Sequence, residues 1–157
     1  WHIQQDLIYD TSKAAEPVIK KHPEYKEAIE AFYGRFLEMI DSVHQENVNL
    51  ALKLKQKGYP IYLLSNFPGD QFDKYRLQNS FLDEFDDRII SGDVGLAKPD
   101  IKIYQLAIKK FNLNPEESLF IDDKIENTKG AEQAGIKTIQ LQNPEDLDKE
   151  IRKFIDL

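Results

Sequence analysis

The strongest constraint on the fold is an apolar segment that ends in two adjacent carboxylates and leads directly into a helical pattern. Residues 118–121 are typical of a short buried strand, Asp122 and Asp123 follow, and a helix is expected to reach about Ala134. Parallel α/β sheets bind ligands at the carboxyl ends of their strands. One aspartate at a helix start is explained by capping, but two adjacent carboxylates repel each other unless a cation or proton intervenes. Oxygen ligands suit Mg²⁺, so the segment predicts a magnesium site.

Residues 58–157 alternate short apolar strands with helical patterns, which is typical of parallel βαβ crossovers. The predicted strands are 61–64, 88–90, 118–121 and 137–141, and the other predicted helices are 72–79, 102–111 and 144–155. Residues 1–57 contain no convincing strand and show helical patterns over 12–21, 24–40 and 45–57. The sequence therefore predicts a helical subdomain over 1–57 and an α/β core over 58–157.

Composition and charge narrow the possible partners. The chain has 28 acidic and 21 basic residues, a net charge of −7, and no long basic run. A broad phosphate-neutralising surface for nucleic acid is therefore not expected. No apolar segment approaches the roughly 18–20 residues that cross a bilayer. We expect a cytoplasmic protein that binds neither membrane nor nucleic acid.

Two further strand ends carry polar residues, each with a structural and a functional interpretation. Ser65 and Asn66 follow the strand 61–64; they are common turn residues, but a hydroxyl and backbone amides there could also hold a phosphate oxygen. Lys98 lies in Gly-Leu-Ala-Lys-Pro-Asp, where it could be a surface lysine at a helix entrance or a fixed positive charge beside a phosphoryl group. Asn127 could brace the acidic segment or face solvent.

Taken in order, these motifs resemble the haloacid dehalogenase-like hydrolase superfamily over nearly the whole chain. The segments that carry the resemblance are 63–66, 95–100 with Ile103-Tyr104, 120–127, and Gly130-Ala131 through Gly135. The opening residues, Trp1 to Asp6, and the helices after them are similar to the small helical cap of one branch. The resemblance implies an α/β fold, a three-layer Rossmann-like parallel sheet with a small N-terminal helical cap subdomain.

The resemblance also implies a role for each matched residue. Ser65 is expected to bind the transferring phosphoryl oxygen, with Asn66 beside it, and Lys98 to neutralise charge on the nucleophile and phosphoryl group. Asp123 is expected to be the more direct Mg²⁺ ligand, and Asp122 a ligand or a partner through water. Asn127 is expected to support that loop.

One motif of the superfamily is missing. Its nucleophile is an aspartate at the end of the first strand, but no Asp-x-Asp follows an apolar strand before residue 58. Asp6 and Asp10 lie in polar, non-strand surroundings and are not accepted as substitutes. We therefore expect the chain to be an incomplete hydrolase whose nucleophile segment is absent from these residues.

The expected function is a Mg²⁺-dependent phosphatase that acts on a small phosphorylated metabolite through an aspartyl-phosphate intermediate. The first alternative is a 2-haloacid dehalogenase. The family resemblance counts against it, because members of that branch have serines where this chain has Asp122 and Asp123. The second is a catalytically degenerate domain kept for binding, which the missing nucleophile favours. The sequence selects neither a substrate nor an oligomeric state.

Overall fold

The computed structural model describes residues 6–40 and 42–155. The opening segment at positions 1–5, used above in the comparison with the helical cap, lies outside the described residues. In this described part of the chain, no helix combines the length and apolarity that a bilayer crossing requires.

Asp10 caps helix α1 (Thr11–Lys21) by accepting a hydrogen bond from the Ser12 backbone N–H. A continuous helix over 24–40 was predicted, and this prediction is wrong. A 3₁₀ turn (Pro23–Tyr25) precedes α2 (Lys26–Gly34), and a second 3₁₀ turn (Phe36–Met39) follows. Gly34, a poor helix former, ends α2, and the next residue leaves helical geometry. The third predicted helix is present as α3 (Gln45–Gln56).

The remaining elements alternate as the sequence predicts. In chain order they are β1 (Tyr62–Ser65), α4 (Gly69–Gln78), β2 (Asp87–Ile90), α5 (Ser91–Val94), α6 (Ile101–Lys110), β3 (Leu119–Asp122), α7 (Ile125–Gln133), β4 (Lys137–Gln140) and α8 (Leu147–Ile151). The short helix α5 was not predicted. The C-terminal helix is shorter than predicted, because its first turn is a 3₁₀ turn (Pro144–Asp146) and the α-helix ends at Ile151.

Strands β3 and β4 are parallel, with Leu119 opposite Lys137 and Asp122 opposite Gln140. Helix α7 connects them, which confirms a βαβ crossover at the acidic segment. Strands β1 and β2 form a separate two-stranded sheet. Gly58 after α3 and Gly135 after α7 have φ angles of +91° and +86°. Both take the left-handed conformation that ends helices at little cost for glycine.

Contacts divide the chain into two compact units. Unit 1 comprises 1–42, 65–83 and 89–97, and unit 2 comprises 43–64, 84–88 and 98–157. One hydrophobic cluster of unit 1 forms around Ala14, Ala15 and Tyr33. One hydrophobic cluster of unit 2 forms around Leu50, Leu54, Ile139 and Ile151. The division into a helical subdomain over 1–57 and a core over 58–157 stays a prediction.

Candidate active site

The site in unit 2 is built around Lys98, which lies just before α6. Asp100 caps α6 by accepting a hydrogen bond of 2.9 Å from the Lys102 backbone N–H. The Lys98 ammonium donates to the Leu64 carbonyl oxygen at 2.9 Å and to Asp122 Oδ2 at 2.7 Å. Since Leu64 is in β1 and Asp122 ends β3, the lysine joins the carboxyl ends of these two strands.

The Asp122 carboxylate is buried, and both of its oxygens have partners. Oδ2 accepts from Lys98, while Oδ1 accepts from the Lys124 backbone N–H at 2.9 Å and from Asn127 Nδ2 at 2.8 Å. Burial alone would raise the pKa of Asp122, but the Lys98 charge and these hydrogen bonds outweigh it and lower the pKa below its ordinary value. Asp122 is therefore held as a carboxylate in one orientation, and Asn127 braces it.

Asp123 differs sharply from its neighbour. Its side chain is exposed, and its backbone carbonyl accepts from Gln140 Nε2 at 3.3 Å. Within residues 6–40 and 42–155, no set of three or more histidine, cysteine, aspartate or glutamate side chains is arranged to hold a metal. Mg²⁺ commonly binds through one or two carboxylates, completing its shell with water and substrate phosphate. An exposed aspartate beside a fixed one fits that mode of binding.

Ser65 and Asn66 begin a segment of unit 1, whereas Lys98, Asp122, Asp123 and Asn127 belong to unit 2. Ser65 is the last residue of β1 and both side chains are half-buried. Their proposed contact with a phosphoryl group stays a prediction.

Sequence reasoning assigned no role to the aromatic residues beneath this site. The Phe120 ring lies below Lys98, with its centroid 5.4 Å from Nζ. Tyr104 packs edge-to-face on Phe120 at 5.5 Å between centroids, and its hydroxyl donates to the Asn127 backbone oxygen at 2.7 Å. The apolar periodicity of α6 could have indicated that Tyr104 is buried, but nothing in the sequence indicated its partner.

Comparison with known families identifies the protein class. The model of the haloacid dehalogenase-like hydrolases matches residues 5–135. The chain belongs to this family. This hydrolase is 29% identical over 107 residues to the sesquiterpene phosphatase astK of Aspergillus oryzae, and the match covers 68% of this chain and 55% of that protein. It is 34% identical over 90 residues to the (S)-2-haloacid dehalogenase 4A of Burkholderia cepacia, covering 57% of this chain and 38% of that protein.

The fold class is confirmed by a solved member of the family. An aspartate-to-alanine mutant of a haloacid dehalogenase family enzyme from Bacteroides thetaiotaomicron, in complex with magnesium and inorganic phosphate, has a TM-score of 0.77 and 25% identity. The match covers 95% of this chain and 76% of that one. The hydrolase chain is thus α/β and Rossmann-like. It spans about half the length, or less, of the two curated relatives.

Proposed function

We propose that this hydrolase is a Mg²⁺-dependent phosphatase for small phosphorylated metabolites that acts through an aspartyl-phosphate intermediate. The observation that carries the proposal is the Lys98 ammonium between the Leu64 carbonyl and the Asp122 carboxylate. It fixes a positive charge at the ends of two strands, and the residue after Asp122, Asp123, is exposed. The phosphatase among its relatives and the similar structure with magnesium and phosphate support this reading.

In this mechanism the attacking carboxylate oxygen forms a bond to phosphorus, the ester P–O bond breaks, and the leaving oxygen takes up a proton. Water then attacks the acyl phosphate, which releases inorganic phosphate and restores the carboxylate. We assign this nucleophile to none of the 157 residues, because no Asp-x-Asp follows an apolar strand before residue 58.

The residues of this chain bind and orient the phosphoryl group. Lys98 offsets the negative charge that gathers as the bond to phosphorus forms. Asp123, with Asp122 directly or through water, would hold Mg²⁺. For Ser65 and Asn66 the proposal keeps the role that the family resemblance implies, which is to hold a phosphoryl oxygen. When bound, the cation supplies further neutralisation of the phosphoryl oxygens. Asn127 orients the Asp122 carboxylate by donating a hydrogen bond to its Oδ1.

The alternatives differ in their need for metal. A 2-haloacid dehalogenase displaces halide without a metal, so its activity survives a chelator. The similarity to the dehalogenase from Burkholderia cepacia is the reason to test this alternative. The paired carboxylates favour the phosphatase, since a bound cation would relieve their repulsion. A degenerate binding domain would retain phosphate without turning over any ester.

The deciding experiment measures the full-length protein against p-nitrophenyl phosphate and against 2-chloropropionate, each with Mg²⁺ and with EDTA. We expect phosphate release that requires Mg²⁺ and is lost in Asp123→Asn. The matched control is Glu126→Gln, which removes an exposed carboxylate from the first turn of α7. Chloride release that persists in EDTA would establish the dehalogenase instead, and phosphate binding without turnover would establish the binding domain.

A further inference from the structure

Tyr104 is a fully buried tyrosine whose ring and hydroxyl reach two different parts of the candidate site. Its exposed fraction is 0%. A buried tyrosine hydroxyl needs a hydrogen-bond partner, and here it donates to the Asn127 backbone oxygen at 2.7 Å. Burial, and then the negative charge of Asp122, raise the pKa of the Tyr104 hydroxyl. The hydroxyl therefore keeps its proton and remains a donor at any physiological pH.

The hydroxyl contact leads to Asp122. Asn127, whose backbone Tyr104 holds, donates from its side-chain Nδ2 to Asp122 Oδ1 at 2.8 Å, and this hydrogen bond is buried. The position of the Asn127 side chain follows its backbone. A displacement of about 1 Å stretches a bond of normal length beyond the hydrogen-bonding range. Tyr104 thus limits how far the brace on Asp122 can move.

The ring contact leads to Lys98. The Tyr104 ring meets the Phe120 ring edge-to-face, at an interplanar angle of 83°. The Phe120 ring in turn lies under the Lys98 ammonium, 5.4 Å from its centroid. Such a ring attracts a cation and limits where it can sit. One side chain therefore supports both members of the Lys98–Asp122 pair, through Asn127 on one side and Phe120 on the other.

We propose that Tyr104 is a positioning residue that sets the Lys98–Asp122 geometry through Asn127 and Phe120. This inference rests on the proposed function for its catalytic consequence. Groups that orient metal ligands or catalytic side chains typically contribute about 10- to 100-fold to affinity or activity. Since Tyr104 is fully buried, its effect should appear in the chemical step rather than in substrate binding.

The test compares Tyr104→Phe with Tyr62→Phe in the full-length protein. Tyr62 is a matched control: it also lies in unit 2 and stacks on Phe111 at 4.4 Å between centroids. Within the described residues its hydroxyl has no hydrogen-bond partner. We expect Tyr104→Phe to lower kcat for p-nitrophenyl phosphate by about 10- to 100-fold with KM unchanged. We also expect weaker Mg²⁺ binding by calorimetry and a shifted NMR resonance of the Asn127 side-chain amide. Tyr62→Phe should change none of these.

A purely structural role for Tyr104 has a different signature. If Tyr104→Phe lowers only the free energy of unfolding and leaves kcat, Mg²⁺ affinity and the Asn127 amide resonance unchanged, the proposal is overturned. Should this variant fail to fold, Phe120→Leu tests the contact from Tyr104 through the Phe120 ring to Lys98. A lower kcat at unchanged KM would support the proposal, and an unchanged kcat would oppose it.

Failure of the proposed function is distinguishable from failure of this inference. A wild-type protein that neither binds Mg²⁺ nor hydrolyses the ester contradicts the phosphatase. The Asn127 side-chain amide still reports on the positioning role in that protein. A shift in Tyr104→Phe supports the role, and an unshifted resonance overturns it.

Discussion

Lys98 Nζ lies 2.7 Å from Asp122 Oδ2, and the two side chains expose only 11% and 5% of their surface. Taking two charges out of water is costly, and only their mutual attraction and further hydrogen bonds offset the cost. The pair is thus sensitive to the loss of either member, whatever it contributes as a whole. Substitutions in the pair should therefore change the free energy of unfolding, which can be measured without a substrate.

The substitution Lys98→Met keeps most of the side-chain length but leaves the Asp122 carboxylate buried without its cation. We expect the free energy of unfolding in urea to fall by about 3–5 kcal/mol. The control is Lys110→Met, which breaks the pair with Asp87, whose side chains are 41% and 42% exposed. That pair should contribute less than about 1 kcal/mol. If both variants lose the same free energy of unfolding, burial does not make the Lys98–Asp122 pair more sensitive than the exposed pair.

The lowered pKa of Asp122 predicts an acid-sensitive contribution to stability. A carboxyl whose pKa is lower in the folded than in the unfolded protein stabilises the fold fully above the unfolded value, about 4. That contribution is lost as the pH falls through the folded value. In metal-free buffer, the free energy of unfolding should therefore fall less steeply below about pH 4 in Asp122→Asn than in the wild type. Parallel pH curves for the two proteins would show that the Asp122 pKa is not lowered by folding.

Asp123 and Glu126 separate a metal ligand from a nearby exposed carboxylate. Calorimetric titration of metal-free protein with Mg²⁺ should show weaker binding in Asp123→Asn by more than about tenfold, the lower end of losses caused by groups that only support a ligand. Glu126→Gln should bind Mg²⁺ like the wild type, and both variants should unfold like it because both side chains are exposed. Equal weakening in the two variants would indicate diffuse attraction to an acidic surface.

Gly130 permits the close approach of α6 and α7 on which the site depends. A Cβ at this position would lie 2.6 Å from the Pro99 carbonyl oxygen and 2.8 Å from Tyr104 Cε2. We expect Gly130→Ala to destabilise the protein by about 1–3 kcal/mol, as overpacking does. The control Gly34→Ala adds a Cβ with nothing within 4 Å, so it should be neutral or stabilise by up to about 1 kcal/mol. Thermal unfolding of both variants measures the difference, and an unaffected Gly130→Ala would show that the packing adapts.

Local features of the fold were predictable because short-range physics controls them. Asp100 caps α6, and Gly58 and Gly135 end helices, because capping and left-handed turns depend on a few neighbouring residues. The break after Gly34 was missed because the apolar spacing continues through it. Helix α5 was missed because Gly92, which lies inside it, and Gly95, which directly follows it, are typical of a loop.

The sequence by itself determined that Asp122 and Asp123 lie at the carboxyl end of a strand, that Lys98 precedes a capped helix, and that a parallel crossover follows the acidic segment. Tertiary structure alone decided how these residues differ. Lys98 contacts residues 34 and 24 positions away along the chain, Leu64 and Asp122. Asp122 is buried and fully hydrogen-bonded while its neighbour is exposed. Such distinctions depend on which distant groups the fold brings together, because burial and long-range pairing are properties of the folded chain and not of any local segment.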